Sequence, residues 1–210
     1  DENTLILFTG DNGALTTKPS KGGPSSAFPL RAGKGWGYEG GIRVPFIVRA
    51  PGVAAGSTCD IPVVNTDFYA TILDLCGLPL KPEQHKDSVS LRSLITGEQH
   101  ELQRAEPLVW HYPHYHGSGW VPGSAIRVGD WKLVESYHDE IFELYNIAED
   151  IGEKKNLADS NSEKAKSLRG QMQSYLAKVG APMASRNEAY DESMKSESPK
   201  KKKRKRKKKK

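Results

Sequence analysis

The sequence predicts an α/β architecture that ends in a small antiparallel sheet packed by one helix. Three observations predict it. A short apolar run, Leu5 to Phe8, stops at Thr9-Gly10-Asp11-Asn12-Gly13, as a strand buried on both faces of an α/β sheet does. Between residues 107 and 145, strand-like runs follow one another with turn residues between them, the pattern of an antiparallel sheet. From Ser162 to Val179, Leu168, Met172, Tyr175, Leu176 and Val179 recur at helical spacing, and Gly180 and Pro182 stop the run.

The elements follow in order. Residues 14 to 33 are rich in Gly, Pro, Ser and Lys and read as a long loop of the kind that often carries function. Ile42 to Val48 is a second strand, with Pro45 forcing it to an edge, an irregularity or a later start. Thr66 to Cys76 reads as a helix. Asn65 or Thr66 caps it, Phe68, Ile72, Leu75 and a buried Cys76 share its apolar face, and Gly77 ends it. Ser88 to Gly97 is a short helical piece. Pro107 to Tyr112 is strand-like. Ala125 to Val128 and Trp131 to Val134 flank Gly129-Asp130, a hairpin whose glycine suits a type II′ turn. Ile141 to Tyr145 is the last strand. The chain thus divides into an α/β portion over 1–104, a small α+β subdomain over 105–180 and a tail over 181–210. The tail lacks apolar content and is expected to be disordered.

Charge needs the same division. The formal net charge is +5, but residues 200 to 210 are all Lys or Arg. Without those eleven the balance is 20 basic against 26 acidic residues, so the folded part is mildly acidic. A nucleic-acid reading would rest on the tail alone, and none of specific kind is expected. The tail also suits binding to polyanions. No apolar run approaches the ~18 residues that span a bilayer, so no membrane partner is expected. The chain opens directly on a strand-like run, as a piece of a longer protein would. Two cysteines, Cys59 and Cys76, make no disulfide framework.

Several residues have side chains suited to chemistry. Asp11 and Asn12 offer hard oxygen ligands for Ca²⁺ or Mg²⁺ at the end of a strand, where α/β sites gather. Gly10 and Gly13 allow the turn that would aim both at one ion; the same residues also read as a plain Asp-Asn-Gly turn. Lys34, between Gly33 and Gly35, can hold an anionic oxygen, or be a solvated loop lysine. Glu39 and Arg43 straddle Gly40-Gly41 and read as structural partners, since Arg can fork two bonds to a carboxylate. Trp110-His111-Tyr112-Pro113-His114-Tyr115-His116 is the densest aromatic and imidazole cluster. His111 and His114 within it are candidates for substrate contact, with a packed strand end as the alternative.

Taken together, Asp11-Asn12 and the later Gly33-Lys34-Gly35-Trp36-Gly37-Tyr38-Glu39-Gly40-Gly41-Ile42-Arg43-Val44-Pro45 resemble the C-terminal half of a type I sulfatase. So do Asp67 to Gly77, Asp87 to Leu91, Glu143-Leu144-Tyr145-Asn146 and Glu153 to Leu157. The resemblance covers roughly residues 1 to 180, with Ala70-Thr71 standing where the family has Pro-Thr. It implies an alkaline-phosphatase-like α/β sandwich with a small C-terminal subdomain. It also implies a sulfuric-ester hydrolase in which Asp11 and Asn12 bind Ca²⁺ (or Mg²⁺) and Lys34 contacts the sulfate as a catalytic and substrate-binding group. The nucleophile implied is a formylglycine, made from a cysteine in Cys-x-Pro/Ala-x-Arg. Neither Cys59 nor Cys76 has that context, so the nucleophile belongs to an N-terminal half outside this chain, and the chain alone is expected to be inactive. The substrate implied is a sulfated small molecule or polysaccharide, and the compartment periplasmic or extracellular. Two other functions fit the same residues: a phosphonate or phosphodiester hydrolase of that superfamily, and a non-catalytic polyanion-binding protein.

Overall fold

The computed structural model describes residues 3–16, 25–185 and 187–189. The basic run from 200 to 210 lies outside the described residues. In chain order the elements are β1 (Ile6–Thr9), α1 (Glu39–Ile42), β2 (Phe46–Arg49), α2 (Asp67–Leu75), α3 (Arg92–Thr96), β3 (Leu108–Tyr112), β4 (Gly123–Val128), β5 (Trp131–Ser136), β6 (Ile141–Asn146) and α4 (Ser162–Lys178). They make two antiparallel sheets, β1-β2 and β3-β4-β5-β6.

The four-stranded sheet is the centre of the molecule, because both its faces are covered. Side chains alternate along a strand, so each strand feeds both faces. Ile126, Leu133 and Leu144 point to one face, where Ala158 and the α4 residues Ala165, Leu168, Met172 and Leu176 close a core. Ala125, Val134 and Tyr145 point to the other and meet Tyr38, Trp120 and Ile147, with Trp36 and Trp110 packed alongside. One face therefore holds α4, and the other holds the Gly-rich segment around Lys34. Gly129 turns β4 into β5 at φ +58, the left-handed start that primed hairpin turns need.

Several expectations change. β1 is not buried on both faces: Ile6, Phe8 and Ile47 are 46%, 58% and 61% exposed. Its only partner among the described residues is β2, and the register sets Phe8 opposite Ile47, so these apolar side chains share one open face. β2 starts at Phe46, after Pro45, and Phe46 stacks on Phe68 of α2 at 4.7 Å. In α2 the buried residues are Asp67, Ala70, Thr71 and Leu73, while Ile72 and Cys76 are exposed. Polar bonds rotate the helix onto that face. The buried Asp67 carboxylate accepts the Val64 and Val89 N–H groups (3.0 and 3.1 Å) and the fork of Arg104 (3.1 and 2.6 Å), and Thr71 Oγ1 accepts the Leu91 N–H. The Thr66 side chain makes no capping bond. In α4, Leu168, Met172 and Leu176 are buried as expected, with Ala165 added and Val179 exposed. The packed region runs just past 180, since Ala181 packs on the α4 core. No helix among the described residues is long and apolar enough to cross a membrane.

A buried charge cluster joins the sheet to the segment on its second face. Lys132 of β5 is fully buried, and its Nζ lies 2.9 Å from Glu39 Oε1 and 2.8 Å from Glu153 Oε1. Glu153 Oε2 accepts the Glu39 N–H at 2.7 Å, and Glu39 Oε2 accepts from Arg43 Nε at 2.6 Å. Burial alone would raise the Glu39 carboxyl, but Lys132 and Arg43 outweigh it and hold it below the usual carboxylate range. Burial dominates at Glu153 and pushes its carboxyl up, with Lys132 and the Glu39 N–H offsetting only part. Glu153 also sits at φ +49, uncommon outside glycine, where these bonds hold it.

Lys132→Met should cost about 3–5 kcal/mol at neutral pH, because it strands the buried Glu153 carboxylate and takes from Glu39 one of its cationic partners. Without the amine the Glu153 carboxyl, already pushed up by burial, titrates higher still in the folded state than in the unfolded chain. Its protonation then favours folding, so the gap to wild type should shrink as pH falls towards about 4. Urea unfolding at several pH values reads both effects. A loss under about 1 kcal/mol, or a gap that widens in acid, would show that Lys132 does not neutralise the pair.

Candidate functional site

The Asp11–Asn12 turn and the Lys34 segment are held together by backbone. The Gly13 N–H donates to Gly41 O at 3.0 Å, and the Lys34 N–H donates to Ala14 O at 2.9 Å. The approach is close enough to require glycine. A Cβ on Gly13 would lie 1.9 Å from Gly40 O, and one on Gly33 would lie 2.0 Å from Thr16 Oγ1. Behind them, Gly40 N–H donates to Arg31 O, and Glu39 at the start of α1 anchors the whole turn to Lys132. The sequence thus places a carboxylate, a carboxamide and an ammonium on adjacent backbone, with the Asp11 and Lys34 side chains exposed.

The donor chemistry at Asp11 and Asn12 fits a hard cation. Asn12 Nδ2 donates to Gly13 O at 3.0 Å, which leaves Oδ1 with its lone pairs as a ligand beside the Asp11 carboxylate. Ca²⁺ takes six to eight oxygens, so two side chains form part of a shell. No group of three or more His, Cys, Asp or Glu suited to a metal occurs among the described residues.

The histidines separate by face. His111 pairs with Ser124 in the β3–β4 register, on the α4 side of the sheet, while Trp110 packs on the side that faces Lys34. Both His111 nitrogens are engaged, Nδ1 with Ser124 Oγ at 2.6 Å and Nε2 with Pro182 O at 2.9 Å. Since a carbonyl only accepts, Nε2 carries the hydrogen. His111 therefore lies on the opposite face from the Lys34 segment, clasping the chain after α4. His114 is exposed and stacks edge-on against Tyr112 at 5.5 Å. The histidine that meets the Lys34 segment is His116: a Cβ on Gly35 would lie 2.1 Å from its Nδ1. It stood in the aromatic cluster of the sequence, but only the fold of the β3–β4 connection distinguishes it. Trp36 and Trp120, edge-on at 6.1 Å, bind that connection to the segment.

The family follows from comparison with known proteins. The model of the N-sulphoglucosamine sulphohydrolase C-terminal region matches residues 32–181. The chain belongs to the sulfatase family. It corresponds to the C-terminal part of a type I sulfatase. A sulfatase of Formosa agariphila is 35% identical over 195 residues, 86% of this chain and 34% of that protein. Human arylsulfatase A is 37% identical over 133 residues, 62% of this chain and 24% of that protein. This sulfatase chain therefore spans about a third or less of the curated relatives it matches. Among solved structures, Ps i-CgsB in complex with k-i-k-neocarrahexaose superposes with a TM-score of 0.66 at 32% identity, covering 83% of this chain and 36% of that one. BT4656 in complex with its substrate D-glucosamine-2-N,6-O-disulfate gives 0.67 at 25% identity, covering 86% and 36%. These superpositions identify the mixed sheets and helices as the C-terminal portion of the sulfatase α/β fold.

Gly13→Ala should destabilise this sulfatase chain by about 1–3 kcal/mol, because the added methyl meets Gly40 backbone that cannot rotate away. A melting temperature equal to wild type would mean that the Asp11–Asn12 turn does not seat on Gly40-Gly41.

Proposed function

We propose that these residues supply part of the cation- and sulfate-binding face of a sulfuric-ester hydrolase. The observation that carries the reading is the backbone bond of Lys34 to Ala14, which joins the segment of an exposed lysine to the chain just after an Asp-Asn turn, in a chain of the sulfatase family. In this reading Asp11 and Asn12 give two oxygens to a Ca²⁺ or Mg²⁺ ion, which when bound polarises a sulfate group. Lys34 holds a sulfate oxygen and offsets negative charge that grows as the ester bond breaks. Gly33 and Gly35 let the segment that carries Lys34 pack on Thr16 and His116. Glu39 acts one layer back, fixing α1 and so the turn. A formylglycine nucleophile comes from sequence outside these residues, so the 210 residues alone turn over no aryl sulfate.

A sulfated saccharide is the substrate class this reading favours, in line with the saccharides bound to Ps i-CgsB and BT4656. Tyr112, exposed at the end of β3, and His114, exposed on the connection that follows, stand as further contacts at the mouth of the site.

The test is made on the complete enzyme. Lys34→Ala should lower kcat/KM for an aryl sulfate by roughly 10²–10³, the scale for losing one charge-stabilising donor. A loss under tenfold would return Lys34 to the role of a solvated loop residue. Asp11→Ala should weaken Ca²⁺ affinity, read by calorimetry on metal-stripped protein, and an unchanged affinity would remove Asp11 from the metal shell.

A further inference from the structure

His116 is held more rigidly than an exposed loop histidine needs to be. Its Nδ1 receives the Ser118 N–H at 3.2 Å and lies 2.8 Å from Ser118 Oγ, which can donate to it as well. A backbone N–H can only donate, so Nδ1 accepts and the ring hydrogen sits on Nε2. The ring also stands edge-on to Tyr112 at 6.1 Å. Its backbone closes a turn, with His116 N–H to Trp120 O and Gly119 N–H to His116 O, both 3.0 Å. Trp120 is buried in the core beneath. By contrast His111, His114 and His138 pack on Ser124, Tyr112 and Tyr115. Nε2–H of His116 is thus a fixed donor with no partner among the described residues, on a ring packed against Gly35, the residue that follows Lys34.

We propose that His116 is a specificity-determining residue: its Nε2–H donates to an oxygen of the sugar whose sulfate ester lies at Lys34. The inference rests on the sulfatase reading above and adds a recognised group to it. A saccharide presents hydroxyl and ring oxygens within a bond or two of its sulfate ester, whereas a simple aryl sulfate presents none. A donor fixed beside the sulfate-holding lysine therefore separates the two classes of ester. The bracing by Ser118 and Tyr112, and the packing of the ring on Gly35, mean that little freedom is lost when the bond forms. The absence of a side chain at Gly35 is what lets the imidazole pack this close to the segment that carries Lys34.

The experiment compares wild type, His116→Ala and His116→Gln in the complete enzyme. The probes are 4-nitrophenyl sulfate, glucosamine 6-sulfate and a sulfated carrageenan oligosaccharide. For the better saccharide, His116→Ala should lower the ratio of its kcat/KM to that of the aryl sulfate about tenfold, chiefly through KM. His116→Gln, which keeps an N–H at similar reach, should recover most of it. Should the alanine variant not fold, His116→Phe keeps the ring against Tyr112 and removes both nitrogens. A ratio equal to wild type, or a glutamine variant no better than alanine, would overturn the proposal. Wild-type turnover of the aryl sulfate with neither saccharide hydrolysed would overturn it too, while leaving the sulfatase reading in place. No turnover of any sulfate by the complete enzyme would overturn the sulfatase reading itself.

Discussion

One buried ammonium organises this molecule. Lys132 Nζ stands between Glu39 and Glu153, and each carboxylate carries a different part of the chain to it. Glu39 brings α1 and, through Gly40-Gly41, the turn that holds Asp11 and Asn12. Glu153 brings the loop after β6, which Asn156 then fastens by accepting the Leu144 N–H at 3.0 Å. A buried ion cluster is weak evidence for stability, since apolar packing of the same volume often does as well. Its effect here is positional. An isolated charge inside a protein is so unfavourable that alternatives in which the segment slides along the sheet are strongly disfavoured.

Legibility in the sequence followed the range of the interactions involved. α4 and the β4–β5 hairpin depend on neighbours a few residues apart, so their periodicity and turn glycine announced them. The Glu39–Arg43 pair, four residues apart, was legible for the same reason. The buried face of α2 was not, because Asp67 and Thr71 bind partners 22 and 20 residues away and turn the helix against its apolar pattern. Nothing local to Lys132 marks it in the sequence, since its partners Glu39 and Glu153 are distant along the chain. The open face of β1 depended on pairing with β2, which a continuous apolar run does not specify.

The candidate site divides in the same way. Asp11, Asn12 and Lys34 were readable as a set because their glycine-rich settings are recorded in the sequence, and the fold joins those settings backbone to backbone. The histidines were readable only as a cluster. In a strand, neighbouring residues face opposite ways, so Trp110 and His111 are separated by the full thickness of the sheet. His116 lies beyond the strand, where the path of the connection decides what it meets.

That connection has an uneven architecture. From Trp120 back to His116 it is pinned, by the indole in the core, by two turn hydrogen bonds and by Gly119 against Trp36. From His114 to Tyr115 it is exposed. Lengthening a surface loop adds little closure entropy, since the cost grows only with the logarithm of its length. The stretch before His116 is therefore a place where descendants of this fold can gain or lose residues without disturbing sheet or core. Changes there would alter what stands at the rim of the site while the imidazole and the lysine stay where they are. Divergence at that rim and persistence of the scaffold can then proceed side by side, separated by a single turn of chain.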